Sequence, residues 1–247
     1  MDLVRAELLR ANTRLPRLIL LGVITVGLVL FVMMAPMVDP SFSYVVVATS
    51  LSVYAISTAS FLAVFETVFV WGDMCRAKIP GAAICRGIPR WQIVLGMWLV
   101  TSALVLIDLL VFMLLLVIGN LIVGGGIPAF TMNRVFITLG VSWLYSVAIL
   151  AVAIPIVVMR ESVTFALIFE VLIVSGAFYS ILDNTKAIAV LAPLKLGQYT
   201  LTGCSNIFAA QLTLGCWNIP ALLGIFVYVI IGLVIAFVLF RKKELSL

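Results

Sequence analysis

Histidine is absent from all 247 residues. That removes imidazole metal ligands, histidine general bases and any catalytic triad of the usual kind. Charge is almost as scarce: 10% of residues are charged and 65% are apolar, where a soluble domain carries about 25% charged residues. An ordinary soluble domain is therefore excluded. The chain also lacks a GxxxxGK[ST] stretch, a kinase signature and a Gly-rich dinucleotide loop, so any ATP that drives it must be bound by another chain. Its four cysteines show no CxxC spacing, which gives no support for a zinc site.

What the chain has in quantity is long apolar runs. A bilayer-crossing helix needs about 20 predominantly apolar residues. The qualifying runs are Leu18–Met37, Tyr44–Val70, Ile93–Gly119, Val135–Val158, Ser162–Leu182 and Ile219–Phe240. They predict an all-α polytopic membrane protein, one domain over residues 1–247 with six spans and short loops. The first run is followed by Met33-Met34-Ala35-Pro36 without a small-x-small cleavage site, so a retained span is expected rather than a signal peptide.

The net charge of +5 comes from cations clustered beside apolar runs, not from a stripe that would suit nucleic acid. With both termini inside, twelve of the fifteen Lys and Arg fall on the cytoplasmic side. Only Arg134, Lys186 and Lys195 remain outside, and this positive-inside bias sets the expected orientation. Ahead of the first span, Val4, Leu8, Ala11 and Leu15 recur at helical spacing opposite Glu7, Arg10, Arg14 and Arg17. That pattern predicts an amphipathic interfacial helix over residues 2–17.

The largest charged interruption lies between Trp71 and Trp91, where residues 72–90 carry Arg76, Lys78, Arg86 and Arg90. Lipid tails cannot solvate these cations, so the stretch belongs in water or against another protein. On the outer side, Gly124-Gly125-Gly126 predicts a flexible turn. Residues 183–218 are broken by Pro193, Gly197 and Gly203, and read as short helices dipping toward the membrane rather than as a seventh span.

Two carboxylates stand deep in spans, Asp108 in the third and Glu170 in the fifth. A charge there costs about 3 kcal/mol on insertion scales, so each should face protein or water. They are the candidates for a substrate pathway or proton relay, or else for a helix-to-helix hydrogen bond. Glu66 lies about a turn from the inner end of the second span, within expected reach of interfacial water or a loop arginine. Pro155 should kink the fourth span, while Ser142 with Ser146 and Ser57 with Ser60 allow close helix approach. Cys204 and Cys216 share the outer loop and can form a disulfide if that compartment is oxidising.

This layout resembles the ABC-2 type permeases, in particular the short six-span bacterial subunits of the bacitracin-resistance, lantibiotic-immunity and peptide-export kind. Gly87-Ile88-Pro89-Arg90-Trp91-Gln92-Ile93 is similar to the family's Gly-x-Ser-Arg-x-x-Ile element, with Pro89 at the hydroxyl position. Lys78-Ile79 stands where Gly-Thr or Gly-Ser is usual, and Met97 where a lysine is often seen. Glu66 is similar to the acidic residue near the inner end of span two, and Phe240-Arg241-Lys242-Lys243-Glu244-Leu245 resembles the family's tail.

The resemblance implies an exporter subunit of the bacterial plasma membrane, paired with itself or a related permease, with both termini cytoplasmic. It implies two ATPase subunits as partners, MgATP held there and no cofactor in this chain, re-entrant outer helices before span six, and an amphipathic substrate such as an antimicrobial peptide. The coupling segment would be residues 72–90. Ile79, Ile84 and Cys85 would give apolar contacts, Arg76, Lys78 and Arg86 polar ones, Arg90 a membrane-surface anchor, with Glu66 and Gly87 alongside. The alternative is a proton-coupled secondary transporter using Asp108 and Glu170.

Overall fold

The computed structural model describes residues 19, 22–23, 59–60, 62–72, 84–85, 87–122, 129–160, 163–184, 196–213 and 216–242. The expected interfacial helix, most of the first span, and Arg76, Lys78, Ile79 and Arg86 lie outside them. All regular structure among the described residues is helical. We number the helices α1 (Leu62–Trp71), α2 (Arg90–Ile122), α3 (Ala129–Arg160), α4 (Val163–Val174), α5 (Ala177–Asp183), α6 (Leu201–Thr213) and α7 (Ile219–Lys242). A 3₁₀ turn at Leu196–Tyr199 leads into α6.

Three helices, α2, α3 and α7, are long and apolar enough to cross a membrane, and the bent pair α4–α5 makes a fourth if counted as one span. At 1.5 Å per residue α2 is about 50 Å long, well beyond a hydrocarbon core of roughly 30 Å. It must therefore tilt or project. Apolar composition alone makes these helices lipid-compatible, and the burial pattern says which faces are not left to lipid.

Helix α3 is the central post. Of its most apolar window 78% is buried, against 22% for α7. Between Val141 and Val158 nearly every side chain is covered, as expected for a helix apolar all round. One end of α3 (Leu150, Ala153, Ile154, Val157) packs with α1 and the first half of α2. The other end (Val141, Tyr145, Ala148, Ile149) packs with Ile173 of α4, with α6 and with the first half of α7. Two core clusters thus stack along one helix.

Helix α7 turns Ala221, Ile225, Val229, Gly232, Ala236 and Phe240 inward at helical spacing. Gly232 lies so close to α3 that a Cβ there would fall on the Ala151 carbonyl. That carbonyl is the one Pro155 leaves without an intrahelical N–H, since residue 155 would otherwise donate to residue 151. Proline on one helix and glycine on the other meet at the same peptide group.

The fifth expected span, Ser162–Leu182, is broken rather than continuous. Gly176 adopts φ +69°, its N–H donates to the Ile173 carbonyl at 3.0 Å, and α5 departs from α4 by 50°. A left-handed glycine is a usual helix stop. Ahead of the last two helices, Thr200 caps α6 by accepting the Gly203 N–H at 3.0 Å, and Asn218 caps α7 by accepting the Ala221 N–H at 3.0 Å.

Gly232→Ala should overpack the α3–α7 contact and cost about 1–3 kcal/mol. Gly176→Ala, which has open space but the wrong backbone region, should cost about 1–2 kcal/mol. Thermal unfolding in detergent reads both, and a Gly232→Ala midpoint equal to wild type would contradict the close approach.

Candidate functional site

Helix α1 ends in a π-helical turn, Thr67–Trp71, in which the Gly72 N–H reaches back to the Thr67 carbonyl. Thr67 Oγ1 sits 2.9 Å from the Ala63 carbonyl, the acceptor that the Thr67 N–H would use in an α-helix. Wide turns of this kind often mark functional positions.

Around this turn the buried polar groups of four helices converge. Thr67 Oγ1 also stands 2.8 Å from Glu170 Oε1 of α4. The Trp71 indole N–H donates to Thr101 Oγ1 of α2 at 2.8 Å, and Thr101 in turn donates to the Met97 carbonyl at 2.8 Å. Ser146 Oγ of α3 lies 3.0 Å from the Ala59 carbonyl just before α1. Glu66, Thr67, Trp71, Thr101, Ser146 and Glu170 are all buried. Each bond runs between helices or along one, as apolar surroundings require of buried polar groups.

Two more tryptophans tie α2 to α3 reciprocally. Trp98 of α2 donates to the Val147 carbonyl at 3.1 Å, and Trp143 of α3 donates to the Ser102 carbonyl at 3.0 Å. Farther along the bundle, Tyr145 of α3 shares a 3.1 Å hydrogen bond with Thr202 of α6, whose hydroxyl donates to the Ile173 carbonyl of α4 at 3.3 Å. None of Thr67, Trp71, Trp98, Thr101, Trp143, Tyr145 or Thr202 was singled out from the sequence. For Trp98 and Trp143 the available signal was position: indoles inside a span cannot reach headgroups and must donate to protein.

The sequence-predicted residues divide. Glu170 and Asp108 are both buried, but Glu170's hydrogen-bond partner among the described residues is Thr67, so no bond joins the two carboxyls. Glu66 is buried as well, away from interfacial water, while Arg76 and Arg86, loop arginines it was expected to reach, lie outside the described residues. Ser142 and Ser146 are buried on α3, the latter 3.0 Å from the Ser142 carbonyl. Cys204 and Cys216 are separate thiols. Cys204 is buried against Gly224 with its Sγ 3.4 Å from the Gln198 carbonyl, while Cys216 is exposed. No bridge joins them in this structure, where one thiol turns into the α6–α7 contact and the other is exposed.

Of the loop residues, Ile84 is half-buried and packs, with Ile88, on the core cluster of α1 and α2, whereas Cys85 is exposed. Gly87 takes φ +81° and its N–H donates to the Ile84 carbonyl at 2.9 Å, closing a turn just before α2. Arg90 does more than anchor to a surface. Its guanidinium donates to the Phe240 carbonyl at 2.7 Å and the Arg241 carbonyl at 3.0 Å, and lies 5.9 Å from the Phe240 ring centre. A cation there satisfies terminal carbonyls and complements the negative end of the helix dipole. The start of α2 and the end of α7 are thereby fastened at one end of the bundle.

No known protein family, curated protein or solved structure matches this chain. Among the described residues no group of three or more Cys, Asp or Glu is placed to hold a metal ion. The class of protein follows from its apolar helices: the described residues are all-helical in their regular structure and of membrane-protein character.

Arg90→Gln should release the last turn of α7, with amide exchange there accelerated by roughly 10- to 100-fold, the equivalent of a charged hydrogen bond of about 1.5–3 kcal/mol. Both bonds come from Nη1, so Arg90→Lys, which keeps a cationic donor on a shorter and more flexible stem, should restore only part of the protection. Among the thiols, burial pushes Cys204 up from its ordinary value, which leaves less thiolate at a given pH. Alkylation followed by mass spectrometry should label Cys85 and Cys216 well before Cys204.

Proposed function

We propose that this chain is the transmembrane permease subunit of an ATP-binding cassette exporter. It moves an amphipathic substrate, such as an antimicrobial peptide, out of the membrane with ATP hydrolysed by a separate subunit. In this reading six spans place both termini in the cytoplasm of a bacterial cell, residues 2–17 lie on the inner interface, and the stretch before α7 forms the re-entrant outer helices. Two such permeases, identical or related, assemble with two ATPase subunits.

The observation that carries the proposal is the way the cation-bearing stretch 72–90 is built into the bundle. It connects α1 to α2; its Ile84 and Ile88 pack on their core, and its last residue, Arg90, holds the end of α7. A soluble motor can do work on membrane helices only through a rigid element that meets it. Arg76, Lys78 and Arg86 supply electrostatic selectivity for a groove on the ATPase. Ile79 and Cys85 supply apolar contact there, while the half-buried Ile84 passes the push inward.

Affinity purification in mild detergent is expected to recover a soluble ATPase with this chain. Neutralising Arg76, Lys78 and Arg86 together should lower that recovery at least tenfold, about 1.4 kcal/mol of docking energy. Unchanged recovery from the triple variant would refute the docking surface.

A further inference from the structure

The Thr67 hydroxyl has one proton and two oxygens within reach. Its Oγ1 stands 2.9 Å from the Ala63 carbonyl and 2.8 Å from Glu170 Oε1. A carbonyl can only accept, and so can an ionised carboxylate. Were Glu170 ionised, the single Thr67 proton would have to be shared between the two oxygens, as that of Ser146 is between the Ala59 and Ser142 carbonyls, and each bond would be weaker for it. A protonated carboxyl removes the sharing: Glu170 donates to Thr67 Oγ1, and the Thr67 hydroxyl donates to Ala63.

The other carboxyl oxygen agrees. Glu170 Oε2 is buried with no hydrogen-bond partner among the described residues. In a carboxylate each oxygen carries half the charge, and half a charge would be stranded in an apolar span. In the neutral acid Oε2 is an ordinary carbonyl oxygen, whose isolation is far less costly. Along α4 the buried neighbours of Glu170 are Ala166 and Ile173, which offer no polar atom from their side chains. The titratable groups on the elements packed against α4 are Glu66 of α1, Tyr145 of α3 with Arg134 and Arg160 near that helix's ends, Tyr179 and Asp183 of α5, and Cys204 of α6. Among the described side chains of this set, none is hydrogen-bonded to Glu170.

We propose that Glu170 is a proton-binding site, a neutral acid that donates to Thr67 Oγ1 and so fastens α4 to the π-helical turn of α1. The proton is the ligand of this seam. When α1 and α4 part, water reaches the carboxyl, the acid transfers its proton to water, and a hydrated carboxylate remains. A solvated glutamate ionises with a pKa of about 4.3. The closed seam therefore holds one proton more than the open one. By linkage, falling pH favours the closed seam and rising pH favours the open one. The proposal stands apart from the ATPase reading, because it concerns the isolated chain and needs no partner.

Infrared spectroscopy of the purified chain in lipid nanodiscs tests it. At neutral pH the wild type minus Glu170→Gln difference should contain the carbonyl stretch of a protonated carboxylic acid. In Thr67→Val the same band should persist but move to higher frequency, because the acid has lost its acceptor. A difference spectrum that instead shows the loss of a carboxylate band would overturn the proposal. So would an acid band that Thr67→Val leaves unmoved, and this second arm remains decisive if Glu170→Gln does not yield folded protein.

Discussion

The structure depends on a constraint that apolar surroundings impose: a polar group inside this bundle finds its partner in the protein or goes without. Hydrocarbon side chains pack α1 to α7 together, yet they discriminate poorly between one rotation of a helix and another, since lipid tails are as apolar as leucine. The indole, hydroxyl and carboxyl groups do discriminate. Trp71 finds Thr101, Trp98 finds the Val147 carbonyl, Trp143 finds the Ser102 carbonyl and Ser146 lies beside the Ala59 carbonyl. Each fixes the rotation of one helix against another. The cost of leaving any of them unmade is higher here than in a water-accessible protein.

That constraint also explains where backbone irregularity is tolerated. The π-helical turn of α1, Pro155 in α3 and the left-handed Gly176 between α4 and α5 each disturb a helical ladder. The first two are covered by neighbouring helices, and the freed Ala151 carbonyl meets the bare backbone of Gly232. Gly176 closes its own turn through the Ile173 carbonyl. Disturbance is thus concentrated where other elements, or the turn itself, absorb it, and two of the three sites touch the central post α3 or the seam beside it.

The two ends of the bundle are organised differently. At one end Arg90 gathers the start of α2 and the end of α7, with Ile84 and Ile88 seated on the same core. At the other, close glycine contacts seat the turn at Leu196–Tyr199 on α5 and α6, and α6 on α7, and Tyr228 of α7 donates to the Tyr199 carbonyl at 2.7 Å. Between them lies the Thr67–Glu170 contact.

Apolar run length by itself determined α2, α3 and α7, because a helix that must bury or shield every backbone group needs a long uninterrupted apolar sequence and little else. It also put Asp108 and Glu170 among the groups that demand explanation, since a carboxyl in such a run is conspicuous. Tertiary structure alone decided the rest. Ser175-Gly176 looked like part of a span until its left-handed conformation broke it. Glu66 was buried, and Cys204 and Cys216 stayed apart. Arg90 became the clamp on a helix 150 residues away, and Thr67 became the partner of Glu170 over a separation of 103 residues. Composition reports what each residue needs; which distant group answers that need depends on how the helices rotate and cross. Nothing in a single apolar run encodes that choice.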